Sequence, residues 1–195
     1  MALAVTINKK LNLVIPIYRD DGKILYVHSA PIMRETFERY FLVLSKTFAQ
    51  IFTKGLGSMV GPRVAALLLK QVATELGEWE GELGVERGLL PEFRRLTNVI
   101  APSAAGWGPI PFDEARRNGL IDDEDADEVG NAICFFMLAS AILRKTSLKQ
   151  MLESAAEFWG ASITSSNSTE FLNSLPTLDA TESSGEKATP SSIPS

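Results

Sequence analysis

The chain of 195 residues contains one imidazole, His28, and one thiol, Cys134, the two side chains with the widest chemical repertoire. A cysteine nucleophile needs a base beside it to hold the thiolate. These two residues are far apart in sequence and lie in unlike surroundings, so no spacing pairs them. Zinc sites built from several imidazoles or thiolates are excluded because the ligands do not exist. His28 ends a strand pattern just before a helix-entry signal, where a hydrogen bond to nearby backbone is its ordinary role. Cys134 sits in the apolar run Ile133-Cys134-Phe135-Phe136 and reads as a small core residue with a quiet thiol.

Three further patterns have chemical and structural readings. The acidic run Asp122-Asp123-Glu124-Asp125-Ala126-Asp127-Glu128 would need spaced oxygen ligands and a glycine at a sharp turn to hold calcium, and Gly130 falls too late. It reads instead as the solvated start of a helix, where carboxylates complement the dipole. The stretch Gly55-Leu56-Gly57-Ser58-Met59-Val60-Gly61-Pro62 lacks the Gly-Lys-Ser/Thr ending of a phosphate loop. Its Gly57-Ser58-Met59-Val60-Gly61 core lacks the strand and partnered histidine of a nucleophile elbow, which leaves a helix–helix turn. Asn167-Ser168-Thr169 matches a glycosylation sequon without a secretion signal to accompany it. The expectation is a protein with no catalytic residue, no cofactor and no metal.

Net charge is −5 and the sequence pI is about 5.0, which argues against a phosphate-neutralising nucleic-acid binder. The basic pairs Arg94-Arg95 and Arg116-Arg117 make no stripe. One cysteine cannot form an intramolecular disulfide, which suits a reducing cytosol. At the N-terminus the apolar residues precede Lys9-Lys10, the reverse of a secretory signal. The longest near-continuous apolar run, 132–143, is well short of the roughly 20 residues of a membrane span. A protein that is neither exported nor membrane-spanning is expected.

The elements that must carry these residues spell a mainly α fold with an N-terminal β-hairpin, an α+β arrangement. Leu11, Leu13, Ile15 and Ile17 alternate with Asn12, Val14, Pro16 and Tyr18, predicting a strand with one mostly buried face. Asp20-Asp21-Gly22 supplies the turn and Ile24–Val27 the returning strand, while Pro16 calls for an edge or a bulge. Ser29 and Pro31 then suggest a helix entry. Phe37, Tyr40, Phe41, Leu44, Phe48, Ile51 and Phe52 predict one amphipathic helix to Thr53, stopped by Gly55 and Gly57. Its aromatic width leaves room for a second apolar face that could receive a partner helix. A second helix is expected from Gly61-Pro62, carrying Val64, Leu67, Leu68, Val72 and Leu76.

Residues 78–88 read as loop, Pro91 as the start of a short helix through Phe93, Leu96 and Val99, and 112–118 as a helical turn or two. The segment 101–111, with three prolines and two glycines, cannot be regular throughout. Trp107 within it could be a contact residue or could pack down onto the domain. A central buried helix should run from Asp122 or Asp123 to about Lys145. Thr146 or Ser147 should cap the next, which carries Leu148, Met151, Leu152, Ala155, Phe158 and Trp159. A last short helix should hold Phe171, Leu172 and Leu175. Residues 1–175 thus form a hairpin-plus-helical domain and 176–195 a Ser/Thr/Pro-rich tail expected to be disordered.

Several stretches resemble a family of tailed-bacteriophage proteins encoded beside the major tail and tape-measure proteins, the tail assembly chaperones. They are LNLVIPI (11–17), ILYVHS (24–29), FERYFLVLSKTF (37–48), GPRVAALLL (61–69), RRLTNV (94–99) and AAEFWGA (155–161), and the likeness extends to Pro176. It implies a helical protein of the host cytoplasm that coats the tape-measure protein until the tail tube forms around it, without enzymatic activity. The contact would be made by Phe37, Tyr40, Phe41, Leu44, Phe48, Leu67, Leu68 and Trp107. This chain departs from the smaller all-helical members in its hairpin and its length. That departure keeps open an alternative: a structural tail or neck subunit of the virion, joined to its own copies through the hairpin edge.

The composition after Pro176 generates a direct test. Deleting residues 177–195 should leave the thermal midpoint nearly unchanged; a large drop would show that these residues pack on the domain.

Overall fold

A computed structural model describes residues 10–103, 106–156 and 160–176. β1 (Asn12–Tyr18) and β2 (Ile24–Ser29) pair antiparallel about the turn at Asp20–Gly22, with Ile15 opposite Val27. Gly22 takes φ 80° there, and its amide donates to the Arg19 carbonyl at 2.9 Å. These strands are the middle of a larger sheet. β3 (Thr97–Ser103) pairs with β2, β4 (Gly106–Pro111) with β3, and β5 (Ser162–Thr164) with the far side of β1. All neighbours are antiparallel in the order β4-β3-β2-β1-β5. The fold is therefore α+β, with far more sheet than one hairpin.

Register decides which side chains share a face. Leu13, Ile15, Ile17, Leu25, Val27, Val99 and Ala101 join the main core under the long helices. Asn12, Val14, Tyr26, His28, Ile100 and Trp107 lie on the opposite face. Val14 and Ile100 are as buried as the main core, at 1% and 0% exposure. Alternation in β1 thus marks two covered faces, not one covered and one wet.

The helical side is built around α6 (Asp123–Ile142). Asp122 caps it by accepting from the Asp125 amide at 2.8 Å, and every residue from Ala132 to Ala139 is buried. α2 (Phe41–Thr53), α3 (Gly57–Glu75), α7 (Lys145–Ala156) and β1 pack around it. Arg19, in the β1–β2 turn, bonds the Asp125 carboxylate and the Leu120 carbonyl, fastening the hairpin to the start of α6. Among the described residues, no helix is long and apolar enough to cross a membrane.

Several expected boundaries move. Ser29 does not cap a helix; it stays in β2, buried, with its hydroxyl 2.9 Å from that of Thr97. α1 (Arg34–Arg39) starts after it, and Tyr40 (φ −105°, ψ 21°) breaks the chain before α2. α3 begins at Gly57, so Pro62 falls inside the helix instead of at its first position. Residues 78–88 end in a π-helical turn, Val85–Leu89, whose ends are both buried. α4 (Leu90–Arg95) stops before Val99, which belongs to β3.

The proline-rich stretch forms strands because Pro109 and Pro111 lie on β4, an edge strand that owes the ladder no donor on its outer side. α5 (Phe112–Arg117) follows, ended by Gly119 at φ 70°. α7 includes Thr146 and Ser147 within its first turn. α8 (Ser168–Ser174) is capped by Asn167, whose side chain accepts from the Glu170 amide while Glu170 reaches back to the Asn167 amide. Phe158, Trp159 and the tail after Pro176 lie outside the described residues.

Two glycines inside helices face opposite circumstances. A Cβ on Gly61 of α3 would stand 2.6 Å from Ile51 Cγ2 and 3.0 Å from Phe135 Cε2, whereas one on Gly130 of α6 would meet nothing within 4 Å. Gly61→Ala should therefore destabilise, since overpacking costs about 1–3 kcal/mol against the about 1 kcal/mol that alanine regains in a helix. Gly61→Val should lose more. Gly130→Ala should gain about 0.5–1 kcal/mol. Urea denaturation of the three variants checks both signs, and equal effects of alanine at the two sites would refute the close packing of α3 on α2 and α6.

Candidate partner-binding surface

α1 and α2 carry four phenylalanines at spacings of four, seven and four residues: Phe37, Phe41, Phe48 and Phe52. Such spacings place them along one side of a helical path. Phe41 is 56% and Phe52 41% exposed, and Phe37 and Phe48 are half-buried. The rings pair within the stripe, Phe37 edge-on to Phe41 at 5.6 Å and Phe48 against Phe52 at 4.9 Å. Leu42, 55% exposed, follows Phe41 on the outer surface. The same helix turns Val43, Leu44, Thr47 and Ile51 inward, so α2 has one face in the core and an aromatic flank in the open.

The residues singled out from sequence divide accordingly. Phe37, Phe41 and Phe48 lie on the open stripe. Tyr40, Leu44 and Leu68 do not: they are 4%, 0% and 7% exposed and belong to the core. Tyr40 also donates its hydroxyl to the Leu83 carbonyl at 3.0 Å. Buried to this degree they offer a partner no surface: Leu44 and Leu68 lie on the inward faces of α2 and α3, and Tyr40, between α1 and α2, packs over Leu83 and Gly88. Leu67 faces outward on α3, 66% exposed, with Val60 seven residues before it, 45% exposed. Phe52 completes the stripe, and its four-residue step from Phe48 is the signal that should have added it. Trp107 is half-buried on the other face of the sheet; it donates Nε1–H to the Pro176 carbonyl at 2.9 Å and tilts against Tyr26 at 5.7 Å. It packs down beneath the C-terminal segment.

His28 and Cys134 are kept apart by the sheet. His28, on the β4-Trp107 face, is 3% exposed and donates Nε2–H to the Ser166 carbonyl at 3.0 Å. Burial holds its pKa below the ordinary imidazole value, against the opposing pull of that backbone carbonyl. Cys134 is in the main core on α6, where burial pushes its thiol pKa well above the usual range. No imidazole–thiolate pair forms. In the acidic run, Asp122 caps α6, Asp125 pairs with Arg19 and Asp123 accepts from Arg116 at 2.9 Å. Among the described residues, no three His, Cys, Asp or Glu side chains gather as metal ligands.

Comparison with protein-family models, with curated proteins and with solved structures finds no match to this chain.

The burial of Cys134 predicts that a thiol reagent modifies it only as fast as the domain opens. Labelling should be slow in the native protein and rapid in denaturant; rapid native labelling would place the thiol elsewhere than in the α6 core.

Proposed function

We propose that this protein is a non-enzymatic binding protein that shields an amphipathic helical chain, acting as a phage tail assembly chaperone on the tape-measure protein in the host cytoplasm. The observation that carries the reading is the stripe Phe37-Phe41-Phe48-Phe52, with Phe41 and Phe52 exposed and Phe37 and Phe48 half-buried, beside the α2 face that turns Val43, Leu44, Thr47 and Ile51 into the core. Exposed aromatic residues in one row suit a helix-in-groove contact better than a solvated surface. Net charge of −5 keeps a protein with such a flank dispersed.

The competing reading, a virion subunit joined edge to edge, is supported by the short β5, which pairs only with Asn12–Val14 and, among the described residues, leaves the rest of β1 without a strand on that side. Prolines weigh against it. Pro16 sits on that length of β1, and Pro109 and Pro111 on β4 at the other side of the sheet, so a second copy pairing there would find no amide donor at these three positions.

Co-expression with the tape-measure protein tests the proposal. The tape-measure chain should stay soluble with this protein and aggregate without it. Each buried phenylalanine contributes about 1.5–3 kcal/mol, so Phe41→Ser/Phe52→Ser, at the two exposed rings, should abolish the rescue while the domain keeps its fold by circular dichroism. Raised salt should weaken the complex little, since screening acts on exposed charges and leaves apolar burial intact. Equal solubility with and without the protein would overturn the reading. Stoichiometric copies in purified virions would favour the structural alternative.

A further inference from the structure

The outer face of the sheet grips residues 166–176 by their main chain at both ends. His28 Nε2–H and Asn12 Nδ2–H both donate to the Ser166 carbonyl at 3.0 Å, and Trp107 Nε1–H donates to the Pro176 carbonyl at 2.9 Å. Between these grips, Phe171 of α8 stacks edge-on against Tyr26 at 5.4 Å and lies 5.9 Å from the His28 ring. α8 itself is seven residues long and buries none of them fully. Such a helix is too short to persist in water without its tertiary contacts. Its position depends on the floor beneath it, and the only imidazole of the chain is in that floor.

We propose that α8 is a proton-sensitive latch, closed over the outer sheet face while His28 is neutral and released when His28 is protonated. A protonated imidazole would keep its bond to Ser166 but would also place a full charge in a site only 3% exposed. The strands around it offer no carboxylate: the residues in register are Val14 on β1, Asn98 on β3 and Ser162 on β5. On α8 the one acidic side chain, Glu170, is engaged in the capping box at the Asn167 amide. Release of α8 would return the imidazole to water and uncover Val14, Tyr26, Ile100 and Trp107 as an apolar surface.

The sign follows from linkage. Burial depresses the pKa of His28 in the closed state relative to the ordinary value of 6.5. The open state therefore takes up the proton first as pH falls. The latch is at full strength above that ordinary value, weakens as pH falls below it, and stops weakening once pH is below the closed-state pKa. The total loss in the closing constant equals the ratio of the two acid dissociation constants. This device is independent of what binds the α1–α2 stripe.

Hydrogen–deuterium exchange on the full chain at about pH 7.5 and about pH 5, corrected for intrinsic rates, tests it. The amides of Phe171 in α8 and of Leu175 at its C-cap should lose protection at the lower pH while those of α6 keep theirs. His28→Gln retains an amide donor for Ser166 without a titrating ring, and should hold α8 equally at both pH values. Direct NMR titration of the single imidazole should give a pKa below that of a solvated histidine. Unchanged α8 protection in the native protein, the same loss in His28→Gln, or an imidazole titrating at or above its solvated value would each overturn the latch.

Discussion

A helix that is apolar on every face cannot lie at a surface, and that requirement organises this protein. From Ala132 to Ala139 α6 has no residue to offer water, so it needs a neighbour on each side. α2 and α3 close one side, α7 another and β1 of the sheet a third. The closeness of α3 is set by Gly61, whose missing side chain lets Ile51 and Phe135 meet over its backbone. Arg19 ties the sheet's first turn to the acidic start of α6, so the charged end of the helix is fastened as well as its apolar body. The dipole at the α6 N-terminus and the capping by Asp122 favour the same placement.

Once α6 is enclosed, α2 and the sheet each have a second face left over, and the two are treated differently. The sheet's outer face is covered by residues 166–176, through three side-chain donors that each hold a backbone carbonyl. The outer flank of α1 and α2 keeps Phe41, Leu42 and Phe52 exposed, with Phe37 and Phe48 half-buried beside them and the rings touching in pairs. An exposed aromatic row is the kind of apolar surface that a solvated helix flank ordinarily lacks. The edges of the sheet are the opposite case: prolines at 16, 109 and 111 remove donors where another strand would add. The two flanks thus differ in kind: an apolar aromatic row on α1 and α2, and edge positions where proline removes a donor.

The two groups with intrinsic reactivity are consumed by structure. Cys134 fills core volume and its thiolate is strongly disfavoured. His28 works as a hydrogen-bond donor under α8. Because the sheet lies between them, they cannot be brought together without unfolding it.

What the sequence by itself determined is local. The turn at Asp20–Gly22, the stops at Gly55, Gly77 and Gly119, the cap and dipole order of α6 and the spacing of the phenylalanines all act within a turn or two of chain, where steric and capping preferences suffice. What only the tertiary structure decided is which partner each segment finds. β1 and β2 read as a hairpin because β3, β4 and β5 arrive from 68 or more residues later, as the Ser29–Thr97 bond shows. Residues 106–111 read as irregular because their prolines are acceptable only at an edge, and edge position is a property of the whole sheet. Periodicity likewise set Tyr40, Leu44 and Leu68 beside Phe41 and Leu67 as apolar helix residues. Only the placement of α6 and the sheet decided which of them face inward, because burial depends on residues distant in sequence.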